Sequence, residues 1–126
     1  VPRLFEASRR PSGRRRMSEL SHKRCLPCEG DIPALTKAQA EDIMTHVPDW
    51  KLSEDGTKLT RLYGFKDFAK ALAFANEVGK VAEEEWHHPD MKVSWGKVEV
   101  TFTTHSVRGL TENDFIMAAK VNDIPA

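Results

Sequence analysis

Hydrophobic and polar positions change period several times along this chain, and each change marks an element. Thr36 opens the first ordered run, and with Gln39 it makes a capping-box pair, each side chain satisfying a free backbone N–H. Ala40, Ile43, Met44 and Val47 follow at helical spacing, and Pro48 stops the run. Trp50-Lys51-Leu52 and Lys58 to Gly64 predict two strands, with Asp55-Gly56 between them as a hairpin signal. A second helix is predicted from Lys66 to Trp86, with Phe68, Ala71, Leu72, Ala75, Val78 and Ala82 on one face. Pro89 forbids its continuation, which leaves His87 and His88 at the helix exit. Lys92 to Trp95 and Lys97 to Thr104 predict another hairpin that turns near Gly96. In its last strand Val98, Val100 and Phe102 alternate with Glu99, Thr101 and Thr103. His105 shares the polar parity and is expected to face away from the core. Thr111 and Asp114 open a third helix that runs to Asn122. The order αββαββα, with strands paired through short turns, predicts an α+β fold: one four-stranded antiparallel sheet with three helices on a single face.

Composition adds domain boundaries. The 126 residues suit one domain, and 40% hydrophobic with 30% charged residues describe an ordinary globular protein. No apolar run reaches bilayer-spanning length, so no membrane partner is expected. The net charge of zero conceals an asymmetry. Residues 1–16 hold six arginines against the single acid Glu6, a net +5, and the remainder carries 13 basic and 18 acidic residues, a net −5. The acidic body does not resemble a nucleic-acid binder. Residues 1–16 are expected to be a disordered basic extension dispensable for fold and catalysis, residues 17–33 an irregular lead-in, and residues 34–126 the domain proper. Three origins stay open for the extension: part of an organellar transit peptide, a nucleic-acid-binding arm, or an upstream start before Met17-Ser18-Glu19-Leu20. A cytoplasmic location is expected unless the first applies.

Chemistry concentrates between Glu83 and Asp114. Glu83-Glu84-Glu85-Trp86-His87-His88-Pro89-Asp90, then Trp95, His105 and Asp114, hold three of the five histidines and several carboxylates. Imidazole is the side chain suited to moving protons near neutral pH, so three of them with an acid form a candidate acid–base site. Blander readings stand beside this one. His87 and His88 suit a helix C-terminus through the helix dipole. Thr111 and Asp114 are themselves a capping pattern. Trp86 and Trp95 would be packing residues. A catalytic metal is not expected, because the histidines lack the spacing of helical zinc motifs. Cys25-Leu26-Pro27-Cys28 supplies two thiols, with His22 as a conceivable third ligand, which leaves zinc, redox or no chemistry open there.

The pattern E-x3-H-H-P-x5-W-x9-H-x8-D, formed by Glu83, His87, His88, Pro89, Trp95, His105 and Asp114, closely resembles the signature of the pterin-4a-carbinolamine dehydratases. The resemblance runs from about Leu35 to Asp123. It includes the Trp50 strand, Gly64-Phe65-Lys66-Asp67-Phe68 and Thr103-Thr104-His105, and the lead-in Cys25-Leu26-Pro27-Cys28-Glu29-Gly30 looks like that of bacterial and plant members. It implies dehydration of 4a-hydroxytetrahydropterin to quinonoid dihydropterin and water, in tetrahydrobiopterin recycling, with no metal and no redox cofactor. By the same resemblance His87, His88 and His105 are catalytic, with His88 holding the region of the 4a-hydroxyl while His87 and His105 exchange protons. Asp114 would orient a histidine, and Glu83, Pro89, Thr104 and Ser106 would border the pterin. The implied partners are the pterin and a second copy of the chain, as dimer or tetramer, with an aromatic amino acid hydroxylase left open. Animal relatives that serve as dimerisation cofactors of a homeodomain transcription factor, and plant relatives in Rubisco assembly, keep a non-catalytic binding role as the alternative.

Overall fold

The computed structural model describes residues 20–25 and 33–126. The expectations for residues 1–16, for Met17-Ser18-Glu19 and for Cys28 lie outside the described residues. The elements are α1 (Lys37–Ile43), extended by a 3-10 turn at Met44–His46, then β1 (Lys51–Leu52), β2 (Leu59–Gly64), α2 (Phe68–Glu85), β3 (Asp90–Ser94), β4 (Lys97–Phe102), a 3-10 turn at His105–Val107, and α3 (Glu112–Asn122). The four strands form one sheet in the order β1-β2-β4-β3, with every neighbouring pair antiparallel.

Local chemistry explains the boundaries. The Thr36–Gln39 capping box is present, with the Thr36 N–H donating to Gln39 Oε1 at 2.8 Å and the Gln39 N–H to Thr36 Oγ1 at 3.1 Å. The last predicted turn of α1 tightens into 3-10 geometry ahead of Pro48. The second helix starts at Phe68 rather than Lys66, because the Asp67 carboxylate accepts the Lys70 N–H at 2.8 Å and caps it. Gly56 and Gly96 turn the two hairpins at φ +74° and +78°, a region that other residues enter only at a cost.

One apolar face of the sheet carries the helices. Leu59, Tyr63, Val98, Val100 and Phe102 are buried on it. Helix α2 packs on β3 and β4, α3 packs on β2 and β4, and Ala40 of α1 joins the same core. The predicted stripe on α2 is rotated slightly. Ala71, Phe74, Ala75, Val78 and Ala82 are the buried residues, whereas Phe68 and Leu72 remain 44% exposed. Strand β4 ends at Phe102, two residues before the predicted limit, since Thr104 leaves the ladder to bridge with Gly109.

A polar cluster ties the first hairpin to α3. Asn122 Oδ1 accepts from Trp50 Nε1 at 2.9 Å, from an Arg61 guanidinium nitrogen at 2.7 Å and from the Tyr63 hydroxyl at 3.2 Å. Burial pushes the Tyr63 hydroxyl up to about 12 from its ordinary 10.0, against the pull of Arg61. The sign follows directly: as pH rises past 10 the unfolded chain ionises this tyrosine before the folded one does. Stability attributable to Tyr63 is therefore complete below that window and falls through it. Denaturant titrations across the window should show the loss, and Tyr63→Phe should show less of it.

Candidate active site

The exit of α2 sets the geometry. Three glutamates at its C-terminus oppose the helix dipole, so partners are needed there. Trp86 then takes a left-handed conformation, φ 54° and ψ 44°, which stops the helix. The N–H groups of Trp86 and His87 both donate to the Ala82 carbonyl, closing the helix end. This break lets two adjacent histidines serve one site. His87 turns inward, its side chain 12% exposed, and His88 stays outward at 45%. Trp86 itself is 76% exposed, and its indole meets the His88 ring edge-on at 4.9 Å. A left-handed tryptophan costs about 1–2 kcal/mol that glycine avoids. Because the indole packs little, Trp86→Gly should raise stability by about 1 kcal/mol, as a thermal or denaturant midpoint would show.

Asp114 anchors the interior of the site. It is fully buried at the start of α3. Its Oδ1 lies 2.7 Å from His87 Nε2, and its Oδ2 accepts from the Thr104 hydroxyl at 2.7 Å and the Thr111 N–H at 2.9 Å. An ionised carboxylate can only accept here, so His87 donates from Nε2, and in the neutral ring Nδ1 is the nitrogen without a hydrogen. The His87 ring also stacks on Phe102, with centroids 6.2 Å apart and planes 11° apart. A second pair repeats the arrangement nearer solvent, with His88 Nε2 lying 2.6 Å from Glu83 Oε2.

A cleft of about 610 Å³ opens over these groups, lined by His87, His88, His105, Thr104 and Ser106 among others. The three candidate histidines therefore share one cavity. His105 and Ser106 reach it from the exposed 3-10 turn after β4, not from a strand. Strand parity thus does not govern His105. Asp114 stands behind His87 and does not line the cleft. Glu83 and Pro89 line a neighbouring groove of about 640 Å³ that shares His88 with the cleft. Among the described residues no group of three or more His, Cys, Asp or Glu could hold a metal ion.

Cys25, Glu85, Thr103 and Asn113 also line the cleft, and sequence reasoning missed their part in it. Glu85 was detectable in principle, as a carboxylate at the unfavourable end of a helix. Trp86 lines the cleft too, and Trp86 and Trp95 are surface residues, 76% and 72% exposed, rather than packing residues.

Fold and site together define a small α+β protein built around a histidine cleft. The family model described as pterin 4 alpha carbinolamine dehydratase matches residues 33–124, and the chain belongs to that family. A Methylococcus capsulatus protein provisionally named pterin-4-alpha-carbinolamine dehydratase is 50% identical over 107 residues, which is 85% of this chain and 94% of the relative. An Azoarcus protein with the same provisional name is 43% identical over 86% of this chain and 92% of its own. The crystal structure of a transcriptional coactivator/pterin dehydratase from Brucella melitensis superposes with a TM-score of 0.66 at 34% identity, covering 71% of this chain and 95% of that one. Among the described residues no helix is long and apolar enough to cross a membrane.

Proposed function

We propose that this protein dehydrates 4a-hydroxytetrahydropterin to quinonoid dihydropterin and water by histidine acid–base catalysis. The observation that carries the reading is the convergence of three imidazoles on one cleft, two of them backed by carboxylates, in a chain of this family. The reaction breaks the C4a–O bond, with a proton delivered to the departing hydroxyl and another lost from a ring nitrogen. One acid and one base suffice, and no electrons are exchanged. His87, whose neutral ring would donate from Nε2 to Asp114 and leave Nδ1 to accept, suits the base. His105, exposed on its turn, suits proton exchange at the other side of the substrate. His88, steadied by Glu83, suits the 4a-hydroxyl region. Thr104 and Ser106 border the site, and Pro89 its neighbouring groove. Purified protein given enzymatically generated 4a-hydroxytetrahydropterin should dehydrate it well above the spontaneous rate. No acceleration would overturn the proposal.

The Brucella melitensis neighbour is described as a transcriptional coactivator as well as a pterin dehydratase, which favours keeping a second reading, a binding or assembly role for the same fold. Exposed Leu62, Phe68 and Leu72 would suit it. In that case His87→Gln would leave partner binding intact. Self-association belongs to the proposal as well: β1 and β3 are open sheet edges, and α2 exposes Phe68 and Leu72. Light scattering at micromolar concentration should report a dimer or tetramer.

A further inference from the structure

The family match begins at residue 33, yet the cleft is also lined by Cys25. The short segment Leu20–Cys25 reaches the site because the body holds it at several points. Leu20 is buried in the core. Glu85, its side chain 5% exposed, accepts the Cys25 N–H at 2.9 Å through Oε1. Its Oε2 lies 3.1 Å from Arg24 Nε and 3.7 Å from Lys120 Nζ. Lys120 Nζ in turn donates to the Ser21 carbonyl at 2.6 Å. The Cys25 thiol lies 3.8 Å from the Asn113 carbonyl, and Asn113 also lines the cleft. The buried contacts matter most, since the exposed Lys23–Glu112 pair at 2.9 Å contributes little.

We propose that Cys25, at the end of the segment Leu20–Cys25, is a substrate-contacting wall of the histidine cleft, and that Glu85, with Lys120, is the positioning residue that latches the segment there. The proposal rests on the pterin reading of the cleft. It gives Glu85 no part in proton transfer: its carboxylate is committed to the segment. A wall of this kind contributes binding that is equal in ground and transition states, so its loss raises KM and leaves kcat nearly unchanged.

The test measures kcat and KM for 4a-hydroxytetrahydropterin, and the rate at which iodoacetamide alkylates Cys25, read by peptide mass spectrometry. In the wild type, saturating 7,8-dihydrobiopterin should slow Cys25 alkylation several-fold. Glu85→Ala should raise KM and speed alkylation by about tenfold each, the scale of one or two lost hydrogen bonds, with kcat changed by less than about threefold. Glu85→Gln still accepts the Cys25 N–H and should lie between. Should Glu85→Ala fail to fold, Cys25→Phe keeps every backbone contact and should raise KM by crowding the wall. The latch is overturned if dihydrobiopterin leaves Cys25 alkylation unchanged in a wild type that turns over, or if a folded Glu85→Ala or Cys25→Phe keeps the wild-type KM. A wild type that protects Cys25 with dihydrobiopterin but shows no turnover supports the wall and overturns only the dehydratase reading.

Discussion

Replacing Asp114 with Asn should cut the dehydration rate by about 10²-fold to 10⁴-fold while the protein stays folded. The argument is one of hydrogen placement. Asp114 Oδ2 accepts from the Thr104 hydroxyl and the Thr111 N–H, and Oδ1 faces His87 Nε2. An asparagine oriented to keep the two Oδ2 bonds must point its NH₂ at His87. The imidazole then has to accept on Nε2 and carry its hydrogen on Nδ1, so it offers the cleft a donor where it had offered a base. Size and cap contacts survive, so the melting temperature should move little. Asp114→Ala should behave differently. It leaves the Thr111 N–H and the His87 Nε2 hydrogen without their acceptor beside a fully buried position, and should cost about 2–5 kcal/mol of stability as well as activity. Thermal unfolding and steady-state rates of the two variants, taken together, check this. Equal rates in Asp114→Asn and the wild type would mean that Asp114 is only a helix cap.

The fold was legible because its signals were local. The capping box at Thr36, the turn glycines and the alternation of Val98, Val100 and Phe102 each needed only near neighbours to read. The histidine pair was legible as chemistry, and Pro89 placed it at a helix exit. Less could be read where a residue's role is set by something distant in sequence. Phe74 rather than Phe68 faces the core because Tyr63 and Phe65 pack against it, 4.5 and 5.1 Å between ring centroids. Glu85 lines the cleft and bonds Arg24 and Cys25, about sixty positions away. His105 faces away from the core as expected, but from a 3-10 turn beyond a strand that ends at Phe102, so strand parity is not the reason, and of the two grounds for its place in the cleft only the resemblance holds. Asp114 had two competing roles in the sequence, helix cap and histidine partner. The structure has it fill both, one with each carboxylate oxygen.

His105→Gln should lower the dehydration rate about 10²-fold or more, with pterin affinity changed much less. His105 is exposed on a 3-10 turn, so the substitution removes no core packing and the rate reports chemistry rather than folding. Glutamine can still donate and accept hydrogen bonds but cannot change protonation state at neutral pH. What is lost is therefore proton transfer alone. His87→Gln should fall by a similar factor, for it removes the base that Asp114 holds in place. His88→Gln should raise KM more than it lowers kcat, since in the proposed mechanism His88, paired with Glu83, contacts the departing hydroxyl. The wild-type rate should depend on pH, and the His105→Gln profile should lose or shift that dependence. Two proton-transfer groups acting in one step are not independent, so the double variant His87→Gln/His105→Gln should fall by less than the product of the single effects. Full activity and an unchanged profile in both His87→Gln and His105→Gln would leave those two imidazoles as scaffolding and turn the balance toward the binding role.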